Sequence, residues 1–180
     1  MFCIRRNSAL VPIFTFLVLG LLVSCSQVQK PVEVSLKNEP TANKEKFQSL
    51  HRAAKSVEGA ASIGLSQKEF RGLLQQMATE ISIVKDQNLN EKESKLCNMF
   101  SNALNFYQDS LVLWQHQQED GTYDGSIMIR GEVKGIAQKY GFHGSSPTGE
   151  LFFISKDSIQ ILWVKAHEQI SDASRILYQQ

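Results

Sequence analysis

Ser66-Gln67-Lys68-Glu69-Phe70-Arg71-Gly72-Leu73-Leu74-Gln75-Gln76-Met77 is the stretch whose reading settles the architecture. Its first four residues have the form of a capping box. The serine hydroxyl is placed to accept the Glu69 amide, and the glutamate to reach back to the serine. Phe70, Leu73, Leu74, Met77, Ile81 and Val84 then recur at spacings of three and four, along one side of a helix. Gly64 supplies the turn before the cap, and Leu65 is placed to staple onto Phe70.

The same one-sided pattern extends in both directions. Upstream, Phe47, Leu50, Ala54, Val57 and Ala61 predict a first helix. Downstream, the turn Asp86-Gln87-Asn88-Leu89-Asn90 leads to a third, with Asn90 as N-cap and Glu91 and Glu93 at the positive end of the helix dipole. Leu96, Phe100, Ala103, Leu104, Tyr107, Leu111 and Trp114 form its stripe, over about 25 residues ending near Glu119-Asp120-Gly121. Residues 121–126 read as a loop. A shorter fourth helix is expected through Ile129, Val133, Ile136, Ala137 and Tyr140. Gly131 and Gly135 weaken it by about 1 kcal/mol each, and Gly141 closes it as a left-handed C-cap with Phe142 folding back. The last helix starts near Asp157 and carries Ile159, Leu162, Trp163, Ala166, Ile170, Ala173 and Leu177. Before it, Leu151-Phe152-Phe153-Ile154 is expected to be an extended apolar plug, because a lone strand has no partner in such a fold. The expectation is an all-α domain over residues 44–180. It is an antiparallel bundle of four to five helices with one extended apolar connection before the last.

The amino end has a different character. Arg5 and Arg6 precede an apolar run from Ala9 to Val23, broken only by Thr15 and containing Pro12 and Gly20. At about 15 residues it is short for a membrane span and right for a signal-peptide h-region. It closes on Leu22-Val23-Ser24-Cys25, which resembles the lipobox of bacterial lipoproteins. The resemblance implies that residues 1–24 are a signal peptide that is removed. Cys25 then becomes the first mature residue, carrying a diacylglycerol thioether and an amide-linked acyl chain of the palmitate type. It also implies a lipid-anchored protein on a bacterial cell membrane, facing away from the cytoplasm. Ser26 stands where an aspartate would signal inner-membrane retention in enteric bacteria, which favours the inner leaflet of the outer membrane in a host that has one. One acyl chain anchors only marginally and two or more anchor stably. After Cys25, residues 26–43 mix Pro31, Pro40 and many polar residues with scattered Val and Leu, too little apolar surface to offset ordering entropy. They read as a flexible tether reaching about 20–25 Å.

Charge narrows the function classes. Removing Arg5 and Arg6 from 19 basic residues, against 18 acidic ones, leaves a mature formal charge of −1 with histidines neutral. Neither a nucleic-acid-binding face nor a polybasic membrane patch fits that balance. Of three cysteines, Cys3 is lost with the leader and Cys25 is acylated, so Cys97 has no intramolecular disulfide partner; it reads as a small buried hydrophobe.

Catalytic signatures are missing. His51, His116, His143 and His167 stand far apart, no HExxH or paired Glu-x-x-His occurs, and neither a metal nor a cofactor is expected. His143 lies in Tyr140-Gly141-Phe142-His143-Gly144-Ser145-Ser146, a glycine-rich loop without a nucleophile elbow or Walker spacing, so no catalytic residue is assigned. Trp114, His143, Phe152, Phe153 and Trp163 are candidates for a ligand groove, although aromatic residues at helical spacing serve more often as core. The expected function is therefore that of a non-enzymatic, membrane-tethered module acting through a protein partner in the envelope, as an accessory, scaffold or exclusion/immunity-type factor. The alternatives are a small-molecule or lipid-binding module and an envelope hydrolase pairing His143 with a serine.

Overall fold

The computed structural model describes residues 41–120, 124–146 and 151–178. The expected signal peptide, Cys25 and most of the expected tether lie outside these residues, as do residues 121–123 of the expected loop. Among the described residues, five helices carry the fold: α1 (Lys44–Ile63), α2 (Gln67–Lys85), α3 (Glu91–Asp120), α4 (Gly131–Tyr140) and α5 (Asp157–Tyr178). The domain is all-α, as expected. Among the described residues, no helix is long and apolar enough to cross a membrane.

The capping signals act as their chemistry requires. At α2 the Ser66 hydroxyl accepts the Glu69 amide at 3.3 Å, while the Glu69 carboxylate accepts the Ser66 amide at 3.1 Å. Gly64 takes φ 76°, which only glycine adopts cheaply, and opens the three-residue link Gly64-Leu65-Ser66 from α1 to α2. Replacing Ser66 by alanine leaves the Glu69 amide without its acceptor. We expect a loss of about 1 kcal/mol, read as a lower urea midpoint at unchanged m-value.

Helices α1, α2, α3 and α5 run up, down, up and down. Lys44–Tyr178, His51–Ser174 and Glu58–His167 are the cross-contacts that fix the antiparallel register of α1 on α5. Their shared core contains Phe47, Leu50, Val57, Phe70, Met77, Leu96, Phe100, Tyr107, Ile170 and Leu177, all under 2% exposed. Cys97 belongs to it at 2% exposure, and burial pushes its thiol above the usual range.

At 30 residues α3 spans about 45 Å and outruns α1 and α2. Its overhang carries a second hydrophobic cluster, in which Leu113 meets Ile127, Val133, Ile136, Ile154, Ile159 and Leu162. Here two expectations need correction. Leu151–Ile154 is not an unpaired plug: β2 (Phe153–Ile154) pairs antiparallel with β1 (Ile127–Met128), Ile127 opposite Ile154. Phe153 also exchanges two backbone hydrogen bonds of 2.8 Å with Ser145, so this short segment is bonded on both edges. Nor does the fourth helix include Ile129. It begins at Gly131, whose φ of 48° suits a turn, so that glycine marks the helix boundary rather than a weak interior. Asp120 fixes the hairpin by accepting the Met128 amide at 2.7 Å and the Arg130 guanidinium at 2.8 Å. Gly141 caps α4 at φ 67° as expected.

Candidate functional site

Where the two clusters meet, α2, α3 and α5 each supply an aromatic ring. Phe70 lies 6.3 Å from Trp114 and 6.1 Å from Trp163, and the two indoles stand 6.2 Å apart at 84°. Both tryptophans pack against both clusters and keep one side open. Trp163 cannot swing freely. Its indole N–H donates to the Ser110 hydroxyl at 2.8 Å, and that hydroxyl donates to the Tyr107 carbonyl at 2.7 Å. The open side is a groove of about 350 Å³, walled by both indoles and edged by Gln117, Lys156, Asp157 and Gln160. Gln117 is oriented as well, since its Nε2 donates to the Gly125 carbonyl at 3.0 Å.

The remaining candidates gather next door. His143 lines a second recess of about 290 Å³ with Asp124, Ser126, Ser145, Phe153 and Lys156. Lys156 borders both spaces, so the two form neighbouring parts of one furrow. The Ser126 hydroxyl and amide both donate to Asp124, which with the nearby Lys156 ammonium holds that carboxyl below its usual range. Phe152 stands 53% exposed at the margin. Gly144 brings the His143 loop onto the hairpin: a Cβ there would fall 2.4 Å from Ile129 Cδ1. Thus Trp114 and Trp163 share one space, His143 and Phe153 the next, and Phe152 sits outside both.

Two histidine pairs escaped sequence reading. His51 Nε2 lies 2.8 Å from the Ser174 hydroxyl, an arrangement that invites comparison with an activated serine. The serine proton, however, is committed to the Ile170 carbonyl at 2.7 Å. The imidazole therefore donates to Ser174 and does not act on it as a base. Burial first, and the Lys55 charge second, hold the imidazole below its ordinary pKa, with Glu58 opposing. In the other pair the largely buried Glu58 carboxylate meets His167 from α5 and Lys55 one turn back on α1. Burial, and then the Glu58 charge, push the Tyr107 phenol well above its ordinary range.

Glu58, His167 and Tyr107 border a recess of about 210 Å³ that Val164 and Trp163 also line. The sequence held one signal for Glu58: it is a carboxylate two turns from His51 and next to the apolar stripe residue Val57. Among the described residues, no group of three or more histidine, cysteine, aspartate or glutamate side chains is placed to hold a metal ion. No known protein family, curated protein or solved structure matches the chain.

Proposed function

We propose that the chain is a bacterial envelope lipoprotein, held to its membrane by acyl groups on Cys25, whose helical domain is a non-catalytic module working through contact with a protein partner. The observation that carries the placement is Leu22-Val23-Ser24-Cys25 at the close of a charged, then apolar, leader of signal-peptide length. The shape of the domain supports the division of labour. The chain joins the bundle at Ala42 and Asn43, where Ala42 is 5% exposed and the Asn43 amide donates to Glu93 at 3.0 Å. Ile63, Ile161 and Val164, all large and exposed, lie toward the other end of α1 and α5, about 30 Å away at the helical rise. A partner seated there is far from the point where the described chain enters the bundle. Scattered exposed aliphatics are ordinary, but Ile161 and Val164 are neighbours one turn apart on a single helix face.

The test is direct. We expect the native protein to resist salt extraction, to partition into detergent and to carry a diacylglycerol mass on a chain beginning at Cys25; the Cys25→Ala protein should lose all three properties. Extraction of the native protein by salt, with no acyl mass, overturns the placement. For the partner, mild crosslinking in membranes should give an adduct that Ile161→Glu with Val164→Glu abolishes. A monomer alone, under conditions that crosslink a known envelope complex, overturns the contact reading.

A small-ligand module is the second reading, favoured by the groove at the paired indoles. Beside the indoles and Ile159 its lining is amide, ammonium and carboxylate, which favours a polar ligand over a lipid chain.

A further inference from the structure

We propose that the furrow running from Trp114 and Trp163 across Lys156 to His143 binds an uncharged oligosaccharide. The inference goes beyond the envelope reading and does not depend on the anchor. Three observations carry it.

The first is the pair of indoles, packed into two cores from behind and open in front, with Trp163 fixed through Ser110. A flat apolar face with a polarised π system suits the C–H face of a pyranose ring, which has little else to bury.

The second is the polar edge. Gln117, held by the bond from its Nε2 to the Gly125 carbonyl, lines the same groove as the Gln160 amide. With the Asp157 carboxylate and the Lys156 ammonium, these give donors and acceptors within reach of ring hydroxyls. Charge argues the same way. Along the furrow the Lys156 ammonium lies near the Asp124 carboxylate and Asp157 lines the same groove, so among the described residues the lining offers no cluster of ammonium or guanidinium groups for a phosphate or a carboxylate ligand.

The third is length. Beyond Lys156 the second recess repeats the composition in miniature, with Phe153 as the aromatic surface and His143, Ser145 and Asp124 as polar groups. The Lys156 stem reaches across because Gly125, at φ 74°, offers no side chain: a Cβ there would lie 3.3 Å from Lys156 Cδ. A ligand of linked rings matches two adjoining recesses better than a single compact molecule.

Trp114 and Trp163 are the chain's two tryptophans, so tryptophan fluorescence responds to this site, and the variants at Lys156 and Gln160 tie the response to the furrow. The full-length protein in detergent is titrated with N-acetylglucosamine tetrasaccharide, cellotetraose, free N-acetylglucosamine and lauric acid. We expect a saturable emission change with at least one tetrasaccharide, at a dissociation constant between about 10 μM and 1 mM. The free sugar should bind at least about tenfold more weakly, having lost half its contacts. Lys156→Ala and Gln160→Ala alter exposed side chains and should keep the circular dichroism of the parent, yet each should weaken tetrasaccharide binding by about fivefold or more. No saturable change with either tetrasaccharide up to about 10 mM overturns the proposal, as does a response to lauric acid alone. Equal affinity in both variants and the parent likewise overturns the assigned site. None of these outcomes bears on the acylation of Cys25, which extraction and mass measure separately.

Discussion

Phe70→Ala should lower the melting temperature by about 10–20 °C. Phe70 is 1% exposed and stands at the centre of an aromatic group, 5.8 Å from Tyr107 and within 6.3 Å of both tryptophans. Truncating a buried phenylalanine typically costs about 3–5 kcal/mol, in lost transfer energy and in the cavity left behind. Each edge-to-face contact adds about 0.5–1.5 kcal/mol beyond area. Against a total stability of about 5–15 kcal/mol, that removes a large share, and a domain of this size loses several degrees per kcal/mol. The change should carry an optical signature. With Phe70 gone, water reaches the inner faces of Trp114 and Trp163, and their emission should shift to longer wavelength even in the folded state. A melting temperature within about 3 °C of the parent would mean that the ring does not support both cores.

Glu93→Ala comes next in expected size, at about 3 kcal/mol. The Glu93 side chain is 3% exposed and accepts three hydrogen bonds: the Asn43 amide at 3.0 Å, the Asn90 amide at 3.1 Å and the Lys46 ammonium at 3.0 Å. One carboxylate thereby caps α3 and ties it to the beginning of α1. Its loss strands two backbone donors, each costing about 1–3 kcal/mol when shielded from water.

The same geometry makes a pH prediction. Burial pushes the carboxyl upward, but the two amides and Lys46 outweigh it and hold the group below its ordinary value. A depressed carboxylate binds its proton more readily when unfolded. Its contribution is therefore complete above the ordinary carboxylate pKa and drains away as pH falls through the folded value. Urea midpoints measured from pH 7 to pH 3 should decline for the native protein and decline less for Glu93→Ala. Parallel curves would show that other carboxylates carry the acid sensitivity.

How much of this was open to reading depends on the range of the interaction. Helices α1, α2, α3 and α5 were legible because their apolar stripes and caps, Ser66 with Glu69 and Asn90 with Glu93, are satisfied within a turn of chain. The hairpin was not. Two residues in each strand leave no alternation to detect, and the register of Ile127 on Ile154 comes from the overhang of α3 and the grip of Asp120. Ile129 misled for the same reason: it lies four residues before Val133 and so continues a helical spacing, although the chain there is extended.

Of the proposed groove, the aromatic residues announced themselves by type, but their division between two recesses did not. Lys156 and Gln160 carried no signal, because each gains its neighbours only when α5 is laid along α3. Glu58 and His167, 109 positions apart, meet through the register of α1 on α5. Cys25 is a reading of sequence alone.

Dividing the interior between two greasy bodies, Phe47 to Leu177 in the bundle and Leu113 to Leu162 above it, makes the molecule forgiving in a particular way. Drift at Val133 or Ile136 is absorbed locally, while the four long rods keep their grip on one another. Among the described residues, the double-duty side chains at the seam, Trp114, Trp163 and Phe106, are bound to both floors.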